Sequence, residues 1–200
     1  MSDLRIGRIV AASLHQSISD ELPDRLEFYE LYLRSQGLRD GTIGLAPITA
    51  VLGFLRTEPA YADVVQRAGQ LAATWTIASM SPLRRRLIAV LPRRLRARVA
   101  LGIAAGIVTL VSSSSKAATR LSRTNAQLDV TASLFCEVRE IQKMPLCGFY
   151  AAAAAETLAS FGLPARGVVQ QCHAVDGGPC VIALDLSATD DTARSALAAA

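Results

Sequence analysis

Up to about Val111 the apolar residues recur at helical spacing, and after Lys116 they alternate. Leu22, Leu26, Tyr29 and Leu33 share one helical face, with Pro23 in the first turn and Gly37 just past the end. Pro47 can open a helix through Phe54 and Leu55. A longer helix is expected after Pro59, with Val64, Ala68, Leu71, Trp75 and Ala78 on one side. Ser81-Pro82 is a start signal, a hydroxyl cap followed by proline at the first helical position. Leu83, Leu87, Val90 and Leu91 then run as an apolar stripe beside arginines. Pro92 cannot sit inside a helix without breaking it, so a separate helix is expected from there to Val111. Ser112 to Ser115 look like a hinge.

The second half reads differently. Ala117–Leu121 is expected as an edge strand and Thr124-Asn125 as a turn. Leu128, Val130, Ala132, Leu134 and Cys136 occupy alternate positions, which predicts a strand with one buried face. Pro145 to Phe161 is helical, stopped by Gly162 and Pro164, and five consecutive alanines make it narrow enough for close backbone approach. Gly167–Cys172 and Cys180–Leu186 read as strands joined by an Asp176-Gly177-Gly178 hairpin turn. The expected architecture is α+β: a helical half over residues 1–115, packed on an antiparallel ββαββ unit over residues 116–187. Residues 188–200 are expected to be a frayed tail, and the whole a single domain.

Composition agrees with a large core, since 51% of residues are hydrophobic and 19% charged, which excludes disorder. The mean hydropathy of +0.31 raises the question of a membrane span. Val99–Val111, thirteen residues without a charge, falls short of the roughly 20 needed to cross hydrocarbon. The first residues carry Asp3, Arg5 and Arg8 with no secretory pattern, so a cytoplasmic protein is expected. Seven arginines stand between Arg84 and Arg98 without an acid: Arg84, Arg85, Arg86, Arg93, Arg94, Arg96 and Arg98. The remaining chain has 14 basic and 17 acidic residues, so this segment accounts for the net charge of +4. Such a segment is either a solvated face or a contact for an anionic surface, such as the cytoplasmic side of the inner membrane.

Four cysteines without an export signal favour thiols or a metal over disulfides. Cys147 opens the alanine helix, Cys172 ends a strand, and Cys180 starts its partner. Thiols converging from three elements can form a metal site. The alternative is that each is a small buried hydrophobe. His15 is expected at the surface, Glu156 on a solvated face, and Trp75 in the core or as the wall of a flat ligand's site.

The stretch Pro145-Leu146-Cys147-Gly148-Phe149-Tyr150, followed by Gln171-Cys172-His173-Ala174-Val175-Asp176-Gly177-Gly178-Pro179-Cys180, resembles the 4-vinyl-reductase-type domain. That family shares its fold with TRAPP vesicle-tethering subunits and with sensory domains of phenol-responsive regulators. Leu91 to Arg98 is similar to the bacteriochlorophyll 4-vinyl reductase branch, and the resemblance spans about residues 60–186. It implies a TRAPP-like fold and a small-molecule pocket between helices and sheet, for which Trp75, Phe149 and Tyr150 are the candidate lining residues. It also implies zinc on Cys147, Cys172 and Cys180. Zinc-bearing relatives add an acid three positions before the strand cysteine. Val169 stands there in this chain, which leaves Cys136, His173 or Glu137 as the fourth ligand.

Three functions follow as expectations. The first is a binding or carrier protein for a hydrophobic small molecule, the resemblance suggesting a tetrapyrrole intermediate of bacteriochlorophyll synthesis. The second is a vinyl-group reductase, although no nicotinamide or flavin fingerprint is present and a partner would have to supply the hydride. The third is a scaffold or sensory module acting as a homodimer. No DNA-reading element is visible, so no nucleic-acid partner is expected.

Overall fold

The computed structural model describes residues 5–33, 43–138 and 140–187. Eight α-helices and a four-stranded antiparallel sheet are present among them, so the fold is α+β with a helical first half. The helices are α1 (Arg8–Glu21), α2 (Leu26–Leu33), α3 (Leu45–Leu55), α4 (Tyr61–Ala78), α5 (Pro82–Ala89), α6 (Arg93–Val111), α7 (Gly148–Ala159) and α8 (His173–Asp176). Two short strands, β1 (Arg5–Ile6) and β2 (Ile43–Gly44), pair with each other. The main sheet comprises β3 (Lys116–Leu121), β4 (Asn125–Thr131), β5 (Arg166–Gln171) and β6 (Cys180–Asp185), in the order β3-β4-β6-β5. The second half is thus a ββαββ unit. Gly37 and the C-terminal tail lie outside the described residues.

The sheet's register follows from the alternation in the sequence. Val130 pairs with Cys180, Leu128 with Ile182 and Ala126 with Leu184, and all six are buried on one face. Helices α6 and α7 cover that face, α4 packs on α7, and α1 packs on α4. The Ser17 hydroxyl, fully buried, donates to the Val64 carbonyl at 2.6 Å and ties α1 to α4.

The alanines of α7 admit backbone on two sides. On one, Gly69 of α4 lies against the Phe149 carbonyl, with Ala152 Cβ 3.1 Å from where its own Cβ would stand. On the other, a Cβ on Gly167 of β5 would stand 2.6 Å from the Ala151 carbonyl oxygen. The close approach expected from the alanine run is therefore made by the protein's own helix and strand.

Several local expectations are corrected. The strand expected to run to Cys136 ends at Thr131. Ala132 takes a left-handed φ of 53°, its carbonyl receives the Ser115 hydroxyl at 2.8 Å, and Leu134–Cys136 coil into a 3-10 turn. The serine hinge is a packed turn, with Ser112 and Ser115 buried and the Ser115 N–H donating to the Ser112 carbonyl at 3.0 Å. The tight hairpin is a longer connection containing α8, closed by Gly177 at φ 70°. On α4 the buried face is Val64, Val65, Ala68, Gly69, Ala72, Ala73 and Ile77, which leaves Leu71 and Trp75 half-buried. The reason is that small residues let α7 come close, and that contact selects the face.

Two glycine substitutions separate this contact from ordinary helix propensity. Gly69→Ala should destabilise the protein by about 2–3 kcal/mol in urea denaturation, because a methyl meets backbone that cannot turn away. Gly102→Ala, at an exposed helical position with open space around it, should stabilise by about 0.5–1 kcal/mol.

Candidate metal centre and adjoining cavity

Four thiols meet beneath one end of the sheet. Cys136 ends the 3-10 turn, Cys147 caps α7, Cys172 precedes α8 and Cys180 begins β6. All four are buried, and their sulfurs lie within 4.8 Å of one another. Cys136 Sγ is 3.4 Å from both Cys172 Sγ and Cys180 Sγ.

Each loop that carries a cysteine is fastened from the helical half or from its neighbour. The Arg56 guanidinium, at the end of α3, donates to the carbonyls of Phe135 at 2.9 Å and Glu137 at 3.3 Å, on either side of Cys136. The buried Tyr61 hydroxyl donates to the Leu146 carbonyl at 3.1 Å, just before Cys147. The Cys172 N–H donates to the Asp176 carboxylate at 3.2 Å, and the Gln142 N–H reaches the Ala174 carbonyl at 2.7 Å. Phe135 stacks on Phe149 with centroids 4.7 Å apart, and Tyr150 meets both edge-on. All three rings are buried, and Phe135 and Phe149 each stand within two residues of a cysteine, Cys136 and Cys147.

Sulfur geometry and charge suit a thiophilic ion. Tetrahedral zinc–thiolate bonds of about 2.3 Å place sulfurs about 3.8 Å apart, close to the spacings here. A thiolate at a helix N-terminus is favoured by the helix dipole, which is the place Cys147 holds on α7. The Leu146 N–H points at Cys172 Sγ (3.3 Å) and the His173 N–H at Cys180 Sγ (3.4 Å), as donors to negative sulfur. The Cys180 thiol is held well below its usual range by its hydrogen bonds with Cys136 and Cys147, to which the His173 N–H adds. Cys147 is pushed far up by its donation to Cys136 and Cys180, and by burial. A divalent cation bound among them would favour the thiolate form of its ligands. A site of four protein ligands has no open position, which marks structural rather than catalytic metal sites.

The structure brings Cys147, Cys172 and Cys180 together and adds Cys136. His173 and Glu137 are not in that sulfur group. Both residues line a cavity of 650 Å³ beside it, and His173 Nδ1 is 3.0 Å from the Gly178 carbonyl. Leu45, Val130, Leu134 and Pro179 give this cavity its apolar walls, and Ser112, Ser114 and Ser133 its polar ones. Phe149 and Tyr150 are fully buried in the aromatic cluster and line none of the cavities described, nor does half-buried Trp75. Ser112 and Ser114 were legible only as part of a run of small polar residues, and Ser133 carried no signal. Their convergence depends on the turn after α6 meeting the end of β4. His15 faces Glu30 at 3.1 Å on the outer helices, far from this chemistry in role.

Of the seven arginines, two are tied to backbone. Arg93 donates to the Leu186 carbonyl at 2.8 Å and Arg96 to the Ala89 carbonyl at 2.9 Å. Arg84, Arg85, Arg86, Arg94 and Arg98 are exposed. No helix among the described residues is long and apolar enough to cross a membrane.

No protein-family model matches the chain, and no curated protein does. Among solved structures it is similar to a point mutant of an H-NOX protein from K. algicida, described as Fe(II) and unliganded. The TM-score is 0.58 at 11% sequence identity, over 90% of this chain and 96% of that one. At that identity the likeness establishes a shared fold.

Cobalt(II) reports ligand number directly. The protein titrated with cobalt should show the intense visible bands of tetrahedral coordination and sulfur-to-metal charge transfer in the near ultraviolet, saturating at one ion per chain. Cys136→Ala should weaken metal binding by at least about tenfold and lower the thermal midpoint of the metal-loaded protein. Equal binding by that variant would leave Cys136 outside the centre.

Proposed function

We propose that this protein binds or carries a hydrophobic small molecule in the 650 Å³ cavity, with zinc at the four cysteines as a structural tie. The observation that carries this reading is the sharing of walls. Ser133 and Leu134 lie three and two positions before Cys136, while His173 and Gly177 to Pro179 lie between Cys172 and Cys180. Fixing the sulfurs fixes the shape of the cavity. Its volume lies within the range of about 300–1,000 Å³ usual for small-molecule sites, and its apolar walls with a few convergent polar groups have the usual character.

The resemblance to 4-vinyl-reductase-type domains suggests a tetrapyrrole intermediate of bacteriochlorophyll synthesis as the ligand. Leu45, Val130, Leu134 and Pro179 would face a flat apolar ring, and the serines with His173 would meet its polar substituents. The Fe(II) state named for the similar H-NOX structure supports a fold that accommodates a bound group. Zinc would supply rigidity here; the chain's own work is to shelter the ligand from water and orient it.

A chlorophyllide-type pigment should bind with a shifted absorption band and one site per chain. Thr131→Trp fills the cavity from an exposed position on β4 where an aromatic is well tolerated. It should weaken binding by at least about tenfold, or 1.4 kcal/mol. Unchanged affinity would place the ligand elsewhere, and turnover of the pigment with NADPH alone would replace the carrier reading with the reductase.

A further inference from the structure

The structure leaves one amphipathic helix facing outward. Only Ile88 of α5 is buried, while Leu83, Leu87 and Val90 are 69%, 58% and 78% exposed. Leu95, in the first turn of α6, is 48% exposed. At 100° per residue, positions 83, 87 and 90 fall within about 60° of one another, and position 88 lies on the far side of the helix. The apolar stripe therefore points away from the protein that anchors α5. Arg84 and Arg86 flank it on opposite sides by the same geometry.

The sequence around this stripe carries no acid. No acidic residue occurs between Asp63 and Asp129 in the sequence. Among the described residues, no ion pair includes Arg84, Arg85, Arg86, Arg94 or Arg98. A leucine stripe between cations is the arrangement of helices that lie in a membrane interface, with leucines in the acyl boundary and arginines at the phosphates.

We infer that α5 and the start of α6 form a docking surface for an anionic lipid bilayer. A planar anionic surface meets both flanks of the stripe at once, and it requires no fixed guanidinium geometry, which these unpaired arginines lack. A second copy of the chain docked through the same face would instead bring like charges together. The surface shares no residue with the lining of the 650 Å³ cavity, so it operates independently of what that cavity holds.

The test is co-sedimentation of the full chain with vesicles of phosphatidylcholine alone or mixed with phosphatidylserine, at low and high salt. Binding is expected with the phosphatidylserine vesicles only, and it should fall with salt. Each arginine near such a surface contributes about fivefold in partition, so Arg84→Gln with Arg86→Gln should cost about 25-fold. Leu83→Asn with Leu87→Asn should cost at least about tenfold, with an unchanged circular dichroism spectrum because both positions are exposed. Equal binding to both vesicle types, binding to neither, or wild-type binding by the leucine variant would overturn the inference. So would a lipid-free dimer that the leucine variant dissolves, which would assign the stripe to a second copy.

Discussion

Backbone contact on both sides of α7 is the constraint on which the rest of the structure depends. Gly69 brings α4 against the Phe149 carbonyl, and Gly167 brings β5 against that of Ala151. A larger residue at either place would push the helix away from its neighbour. Because both contacts lie in the first turns of α7, they also fix where Cys147 stands at its N-terminus. The ring of Phe149 is then held against Phe135, one residue before Cys136. Core packing and sulfur geometry are consequences of the same two glycines.

The sulfur centre and the cavity share connecting segments that regular secondary structure does not hold. Among the described residues, the segment between β4 and α7 has a single 3-10 turn, and that between β5 and β6 only the four-residue α8. Arg56 and Tyr61, from consecutive helices, fasten the first of these segments through its carbonyls. Direct hydrogen bonds thus position cysteine loops of the second half from helices of the first.

Periodicity made the architecture legible. Alternation at Leu128 and Val130 gave the sheet's buried face, and Pro92 marked the boundary between α5 and α6. What periodicity could not show were departures from regular geometry. The left-handed turn at Ala132 has no glycine to announce it, and it carries Cys136 off the strand. The cavity's serines come from segments that meet only through β3 and β4 pairing. The outward leucines of α5 look in sequence like any core stripe, since which face is buried depends on the neighbours present. The family resemblance pointed to three of the clustered cysteines, and Val169 showed that the fourth partner had to come from elsewhere.

The four cysteines also bear on the order in which the chain assembles. Cys136 and Cys180 are 44 positions apart, and Cys180 pairs with Val130 at the end of β4. An antiparallel pair so distant in sequence must close a long loop before its ladder repays the entropy. An ion captured by thiols of the unfolded chain would close that loop first and deliver β6 to β4 near its final register. Strand pairing would then proceed as a short-range search rather than as the closure of a long loop.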